Sequence, residues 1–208
     1  MDSAEWDRRY ADADLVWSAE PNRWIEAEAA GLPPGRALDL AAGEARNSIW
    51  LARRGWLVTA VDFSGVALAK GRRLAASADD AAATRITWVE ADLTSYRPAP
   101  GGADLVIIAY LQTPAADRGP IVARAVEAIA PGGTLLVVAH DSTNLTDGVG
   151  GPQEATVLYT PEDVVADIVA ADHSPLLRIE KAERVLREVP GAPRPAIDLL
   201  VRAIRTAD

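Results

Sequence analysis

The sequence predicts an α/β fold: a doubly wound, mostly parallel sheet of seven strands with helices on both faces and an antiparallel final hairpin. Three observations carry that prediction. Short apolar runs of β character alternate with helical stretches through five successive units. One of those runs, Leu105 to Ala109, is apolar enough to be covered on both faces, as parallel strands are. Two further strand-like stretches close the chain on either side of the proline-rich segment Pro190 to Pro195.

The elements follow in order. Pro21 to Ala30 reads as a helix, with Pro21 suited to its first turn and Gly31 stopping it ahead of Pro33-Pro34-Gly35. Ala37 to Leu40 is a strand, and the helix from Arg46 to Arg54 ends at Gly55. Leu57 to Val61 is the second strand, after which Ser64 caps a helix through Ala75. Ile86 to Val89 is the third strand and Leu105 to Ala109 the fourth. Between Pro120 and Ala130 the apolar positions 121, 122, 125, 126 and 129 fall on one helix face. Pro131-Gly132-Gly133 then turns into the fifth strand, Thr134 to Ala139. Asp141 to Ala155, with Asn144, Gly148, Gly150, Gly151 and Pro152, reads as a long surface loop. Thr160-Pro161-Glu162-Asp163 starts a helix, Thr160 serving as cap and Asp163 standing three residues on. Leu176 to Val189 and Ala196 to Ile204 are the closing strands. The expectation is one domain over residues 1–208, with 1–35 a helical lid segment and 36–208 the core.

Composition narrows the function. With 208 residues, 49% hydrophobic and 25% charged, the chain suits one globular domain. It has no cysteine, which excludes disulfides, thiolate metal sites, iron–sulfur clusters and a cysteine nucleophile. Its histidines are His140 and His173 alone, too few for a histidine-rich metal site, and no metal is expected. A net charge of −9 argues against nucleic acid as a partner. Met1 to Asp14 lacks the apolar run of a signal peptide, and Leu105 to Leu111 is far short of the ~20 residues of a membrane span. The expectation is a cytoplasmic protein that binds no membrane, as a monomer or homodimer.

Ligands of open α/β sheets bind at the carboxyl ends of the strands. Here those ends read Asp39 to Ser48, Asp62-Phe63-Ser64, Glu90-Ala91-Asp92-Leu93, Tyr110-Leu111-Gln112 and His140-Asp141. A dinucleotide calls for a G-x-G-x-x-G turn so that backbone amides approach the pyrophosphate. Only Gly43 is present, and Asp39 and Glu44 would face the phosphates. A ligand carrying an ammonium or sulfonium and no phosphate suits carboxylates better. Asp62, nineteen residues after Gly43, is placed to accept from two ribose hydroxyls. Asp92 and the Leu93 amide are placed to hold an adenine.

Asp39 to Ala45 followed by Arg46-Asn47-Ser48 resembles the first motif, D-x-G-x-G-x-G, of class I S-adenosylmethionine-dependent methyltransferases. Val61-Asp62-Phe63-Ser64, Ala91-Asp92-Leu93 and Ala130-Pro131-Gly132-Gly133 match later motifs in order. Trp6-Asp7-Arg8-Arg9-Tyr10, Trp17 and Glu20-Pro21-Asn22 resemble the opening segment of the small tellurite-resistance and thiopurine-methyltransferase-like branch. The resemblance covers nearly the whole chain and implies a Rossmann-like sheet with S-adenosylmethionine as cofactor. It departs from the family at Ala41 and Ala45, which replace two of the three glycines.

Carried over residue by residue, the resemblance implies cofactor contacts from Asp39, Ala41, Gly43, Arg46, Asn47, Asp62, Phe63, Asp92, Leu93 and Ala109. Tyr10 and Trp17, with Trp6, would form an aromatic lid over the methyl donor, since aromatic faces attract a sulfonium. His140 is the candidate general base, Tyr110 a second candidate catalytic group, and Gln112 and Asp141 candidate substrate contacts. The acceptor expected is a small molecule: a thiol, a chalcogen oxyanion or another heteroatom nucleophile. An NAD(P)-dependent oxidoreductase and a non-catalytic binding protein of the same fold are the rival readings.

Overall fold

The strands are β1 (Arg36–Leu40), β2 (Leu57–Asp62), β3 (Ile86–Glu90), β4 (Ala103–Ala109), β5 (Ile129–His140), β6 (Leu177–Arg187) and β7 (Ala196–Arg205). The helices are α1 (Ser3–Ala11), α2 (Arg23–Ala29), α3 (Arg46–Arg53), α4 (Gly65–Ala78), α5 (Asp80–Ala83), α6 (Ala115–Ala128), α7 (Asn144–Asp147) and α8 (Pro161–Ala171). This computed structural model describes residues 3–12, 19–173 and 176–207. The sheet has seven strands in the order β3-β2-β1-β4-β5-β7-β6. Residue contacts divide the chain into two units, Met1–Arg97 with Ala103–Ile108 and Pro98–Gly102 with Ala109–Asp208.

In the first unit β1 pairs in parallel with β2 and with β4, setting Leu38 opposite Thr59 and Val106. β2 pairs in parallel with β3, setting Asp62 opposite Glu90. Parallel pairing sends the carboxyl ends of these strands to one edge, so the residues following them are gathered there. Leu105, Val106, Ile107 and Ile108 of β4 are at most 1% exposed. Burial of that kind contributes roughly 1.5–3 kcal/mol per side chain. α3 packs on β1, β2 and β3, and α1 packs on α4. α2 starts later than the proline suggested, because Asn22 is its cap and accepts from the Trp24 and Ile25 amides. Pro21 lies ahead of that cap.

In the second unit β7 runs antiparallel to both β5 and β6, with a bulge between Ile179 and Lys181. This is the expected hairpin. α6 corrects the sequence reading: it begins at Ala115 and carries Pro120 in its interior. The proline removes one hydrogen bond from the ladder without ending the helix, because Ile121, Val122, Ala125 and Val126 are buried along its inner face. β5 likewise begins at Ile129, five residues before the expected start, with Pro131 and Gly132 inside it. The stretch Asp141 to Ala155 holds α7 and leads into a 3-10 turn at Ala155–Val157. A buried amide anchors it. Asn144 Oδ1 accepts from the Ile197 amide at 2.7 Å, and its Nδ2 donates to the Gly150 carbonyl at 2.9 Å. Among the described residues no helix is long and apolar enough to cross a membrane.

Candidate functional site

At the end of β1 the backbone turns through Ala41, Gly43 and Ala45 with φ of 61°, 56° and 63°. All three occupy the left-handed region, where an L-residue with a Cβ costs about 1–2 kcal/mol more than glycine. The two alanines thus hold a strained conformation, which fixed structures keep where geometry matters. Ala45 is the cap position of α3 and provides no side-chain hydrogen bond to the first-turn amides.

Two buried carboxylates stand beside this turn. Asp62 is 5% exposed; its Oδ2 accepts from the Gly43 amide at 2.8 Å and its Oδ1 from the Ser64 amide at 2.9 Å. Burial raises its carboxyl above the ordinary range despite those hydrogen bonds. Asp39 is fully buried; its Oδ2 accepts from the Ser48 hydroxyl at 2.6 Å. Its Oδ1 is buried with no hydrogen-bond partner among the described residues. Burial drives this carboxyl up to about 6, offset in part by Ser48 and reinforced by the nearby charge of Asp62. A buried acceptor left unpaired costs about 1–3 kcal/mol.

The other candidates on this side fall into two sets. Phe63 is half-buried, with its carbonyl accepting from the Ser3 hydroxyl at 3.1 Å. Leu93 is 9% exposed. Ala41 and Arg46 are half-buried. Asn47 is drawn into the scaffold instead: its Oδ1 accepts from the Asn22 amide at 2.8 Å and so ties α3 to the start of α2. Asp92 is exposed, and its Oδ1 accepts from the amide and hydroxyl of Thr94, both at 2.7 Å. Tyr10 is 4% exposed, with its ring centroid 5.5 Å from that of Trp6 and its carbonyl held by Lys70 Nζ. Asp7 accepts from the Ser64 hydroxyl at the start of α4. Trp17 lies outside the described residues. A cavity of about 270 Å³ runs along α3 and α4, lined by Glu20, Glu44, Arg46, Trp50, Arg53 and Leu74. Asp39 and Asp62 are not among its walls.

The second unit carries a different polar cluster. Ala109 is half-buried at the end of β4, and Tyr110 follows it with φ of 56°. The Tyr110 hydroxyl donates to Asp198 Oδ2 at 2.9 Å, and Arg187 Nε donates to the same oxygen at 2.7 Å. His140 Nδ1 lies 3.3 Å from Asp198 Oδ1, and its ring is tilted against Tyr110 with centroids 4.9 Å apart. Asp198 is fully buried; burial alone would raise its carboxyl, but His140 and Arg187 outweigh it and hold the group at about 2. Gln112 bridges two segments, accepting from the His140 amide at 2.8 Å and donating to the Val157 carbonyl at 2.7 Å. Asp141 is fully buried, and its Oδ1 accepts from the Thr143 amide and from Arg184 Nε, each at 2.9 Å. His140 and Tyr110 are therefore brought together, whereas Gln112 and Asp141 are engaged in holding the loop.

Sequence reasoning missed Asp198, Arg187 and Arg184. A signal was present, since Asp198 is the one acidic residue in the otherwise apolar run Ala196 to Val201. A carboxylate on a buried strand requires a cation nearby.

Residues 37–133 match a family model described as a methyltransferase domain. No protein of curated function matches the chain by sequence. Among solved structures, a protein described for the conversion of a disulfide bond into a thioacetal group during echinomycin biosynthesis superposes with a TM-score of 0.71 at 19% identity, over 99% of this chain and 93% of its own. An S-adenosylmethionine-dependent methyltransferase from Mesorhizobium loti gives 0.65 at 22% identity, over 87% and 98%. A glycopeptide N-methyltransferase complexed with S-adenosyl-L-methionine gives 0.62 at 23% identity, over 86% and 90%. The chain has the class I methyltransferase Rossmann-like fold.

Proposed function

We propose that this chain is an S-adenosylmethionine-dependent methyltransferase acting on a small-molecule acceptor. One observation carries the reading: a buried, unpartnered carboxylate oxygen of Asp39 stands beside the buried carboxylate of Asp62 at a turn of three left-handed residues. The residues fit the cofactor. Asp39 would take the amino group of the methionine moiety. Asp62, whose two oxygens each retain accepting capacity, would take the ribose hydroxyls. Phe63 and Leu93 would flank the adenine, with Asp92 at its exocyclic amine; Ala41, Gly43 and Arg46 would form the walls, and Asn47 would hold the turn in place through the Asn22 amide. Tyr10 would close the pocket from α1. The match of residues 37–133 to a methyltransferase domain supports this assignment.

When bound, S-adenosylmethionine supplies a methyl group already activated on a sulfonium. The work left to the protein is positioning and exclusion of water, effects that supply up to about 7–11 kcal/mol in favourable cases. The same carboxylates disfavour a pyrophosphate, which places NAD(P) behind S-adenosylmethionine. The resemblance of Arg46-Asn47-Ser48 to the tellurite-resistance and thiopurine-methyltransferase-like branch supports an acceptor of that small size. The net charge of −9 favours a small acceptor over nucleic acid. We place the protein in the cytoplasm, as a monomer or homodimer.

The test is an acceptor screen that follows formation of S-adenosylhomocysteine, with thiols, tellurium and selenium oxyanions, and small phenols. Turnover with at least one class is expected, abolished by Asp62→Ala. Absence of both turnover and cofactor binding, with Asp62→Ala indistinguishable from wild type, would favour a non-catalytic binding protein.

A further inference from the structure

We infer that β6 is an interaction edge whose partner is a second copy of this chain, the two β6 strands pairing antiparallel about a two-fold axis at Ala182. The inference selects the homodimer among the states proposed above and does not depend on the methyltransferase reading.

β6 is the last strand of the sheet, and among the described residues it pairs with β7 alone. Its outer side therefore presents a row of backbone N–H and C=O groups outside any ladder. At 11 residues the strand is long for an edge. Five successive residues, Glu180 to Arg184, are exposed. The bulge sets Glu180 outside the ladder, and from Lys181 to Arg187 the register with β7 is regular. Proteins blunt such edges with bulges and with charge. Charge of one sign would serve that end, whereas the signs here fit a reversed copy of the same strand.

The fit follows from symmetry. A two-fold dimer sets residue i against j and j against i, so one residue meets itself at the axis. Glu180 to Arg184 reads Glu-Lys-Ala-Glu-Arg, in which Ala182 is the one neutral residue. An axis at Lys181, Glu183 or Arg184 would oppose like charges directly, which destabilises a strand pair. An axis at Ala182 sets Lys181 against Glu183 of the second copy, and Glu183 against its Lys181. Lys181 lies opposite Arg202 and Glu183 opposite Leu200 on β7, so the two charges share one face, as a cross-strand pair requires. With Glu180 outside the ladder, Leu177 falls opposite Leu186 of the second copy. Leu177 and Leu186 also share a face, lying opposite Arg205 and Ile197. Pairing thus covers Leu186, which is 60% exposed in the single chain.

Charge also singles out the occupant. Glu180 to Arg184 carries two acidic and two basic side chains, so it is a neutral stretch in a chain of net charge −9. Two copies meet there with their mutual repulsion locally relieved. A uniformly acidic or basic peptide would meet its own sign at half of these charges.

Sedimentation velocity on the full chain tests the inference. The concentration series should reach roughly 0.5 mM, because a single strand pair makes a small interface and a weak dimer. Wild type should pass from monomer to dimer along the series. Lys181→Glu and Glu183→Lys each bring like charges together twice and should weaken self-association about tenfold or more. Both positions are exposed, so the melting temperatures of the two variants should stay close to that of wild type. An equimolar mixture of the two variants should form a heterodimer, since every acidic residue of these pairs then meets a basic one. The double variant carrying both reversals should dimerise like wild type. A wild type that stays monomeric throughout overturns the inference. A dimer indifferent to either reversal, or a mixture of the variants that does not associate, overturns it as well. No readout involves cofactor or turnover, so failure of the dimer leaves the methyltransferase reading standing.

Discussion

The two units bury carboxylates to the same depth and treat them in opposite ways. In the first, Asp39 and Asp62 are met by amides and a hydroxyl, and among the described residues neither forms an ion pair. Both carboxyls are pushed up, Asp39 to about 6. In the second, Asp198 sits against Arg187 and His140 and is held at about 2. Burial is common to both sets, so the difference lies in the partners. A buried acid without a cation has accepting capacity to offer a ligand. One whose cations are already in place is held by them.

The comparison breaks first if the second set is not held by its cations. Arg187→Met should leave Asp198 buried and short of its guanidinium partner, a change that costs roughly 3–5 kcal/mol. Chemical denaturation checks it, and a loss below about 1 kcal/mol would show that Arg187 is dispensable.

The first set should respond with the opposite sign. Asp39→Asn removes a charge that burial disfavours and is expected to stabilise the ligand-free protein at neutral pH by up to about 2 kcal/mol. Its pH dependence follows from the same shift. The folded carboxyl at about 6 binds its proton more tightly than its ordinary value of 3.8 allows, so its contribution is full below 3.8 and is lost as pH rises through 6. Asp198 runs the other way: its contribution is full above 3.8 and is lost as pH falls toward 2. Urea midpoints measured from acid to neutral pH should therefore rise and then decline, and Asp39→Asn should remove most of the decline.

A smaller effect concerns the turn between β1 and α3. Ala41→Gly and Ala45→Gly should each relieve left-handed strain and raise stability by about 1 kcal/mol. Thermal melts of both single variants and the double variant test this. A loss of stability in either would mean that the alanine Cβ contributes packing that outweighs the strain.

How much of this the sequence disclosed also divides between the units. In the first, the strand ends can be read directly from the chain: Asp39 lies in β1, Gly43 in the turn that follows it and Asp62 at the end of β2, as expected. What the spacing did not reveal is that Asn47 holds the Asn22 amide and that Asp92 is engaged with Thr94. In the second, His140 and Tyr110 were legible as strand-end residues, but their partners come from a hairpin far along the chain. Strand periodicity tells which positions alternate, not which polar residue meets which. Pro120 misled for a related reason: a local rule placed a helix start there, and tertiary burial of the α6 face overrode it.

The most direct measurement is a calorimetric titration of S-adenosylhomocysteine into wild type, Asp62→Ala and His140→Gln. Wild type should bind one equivalent, Asp62→Ala should weaken binding on the order of 100-fold, and His140→Gln should change it by less than about threefold. Equal weakening in the two variants, or a wild type that takes up NAD and not S-adenosylhomocysteine, would contradict the assignment of the donor site to the buried carboxylates of the first unit.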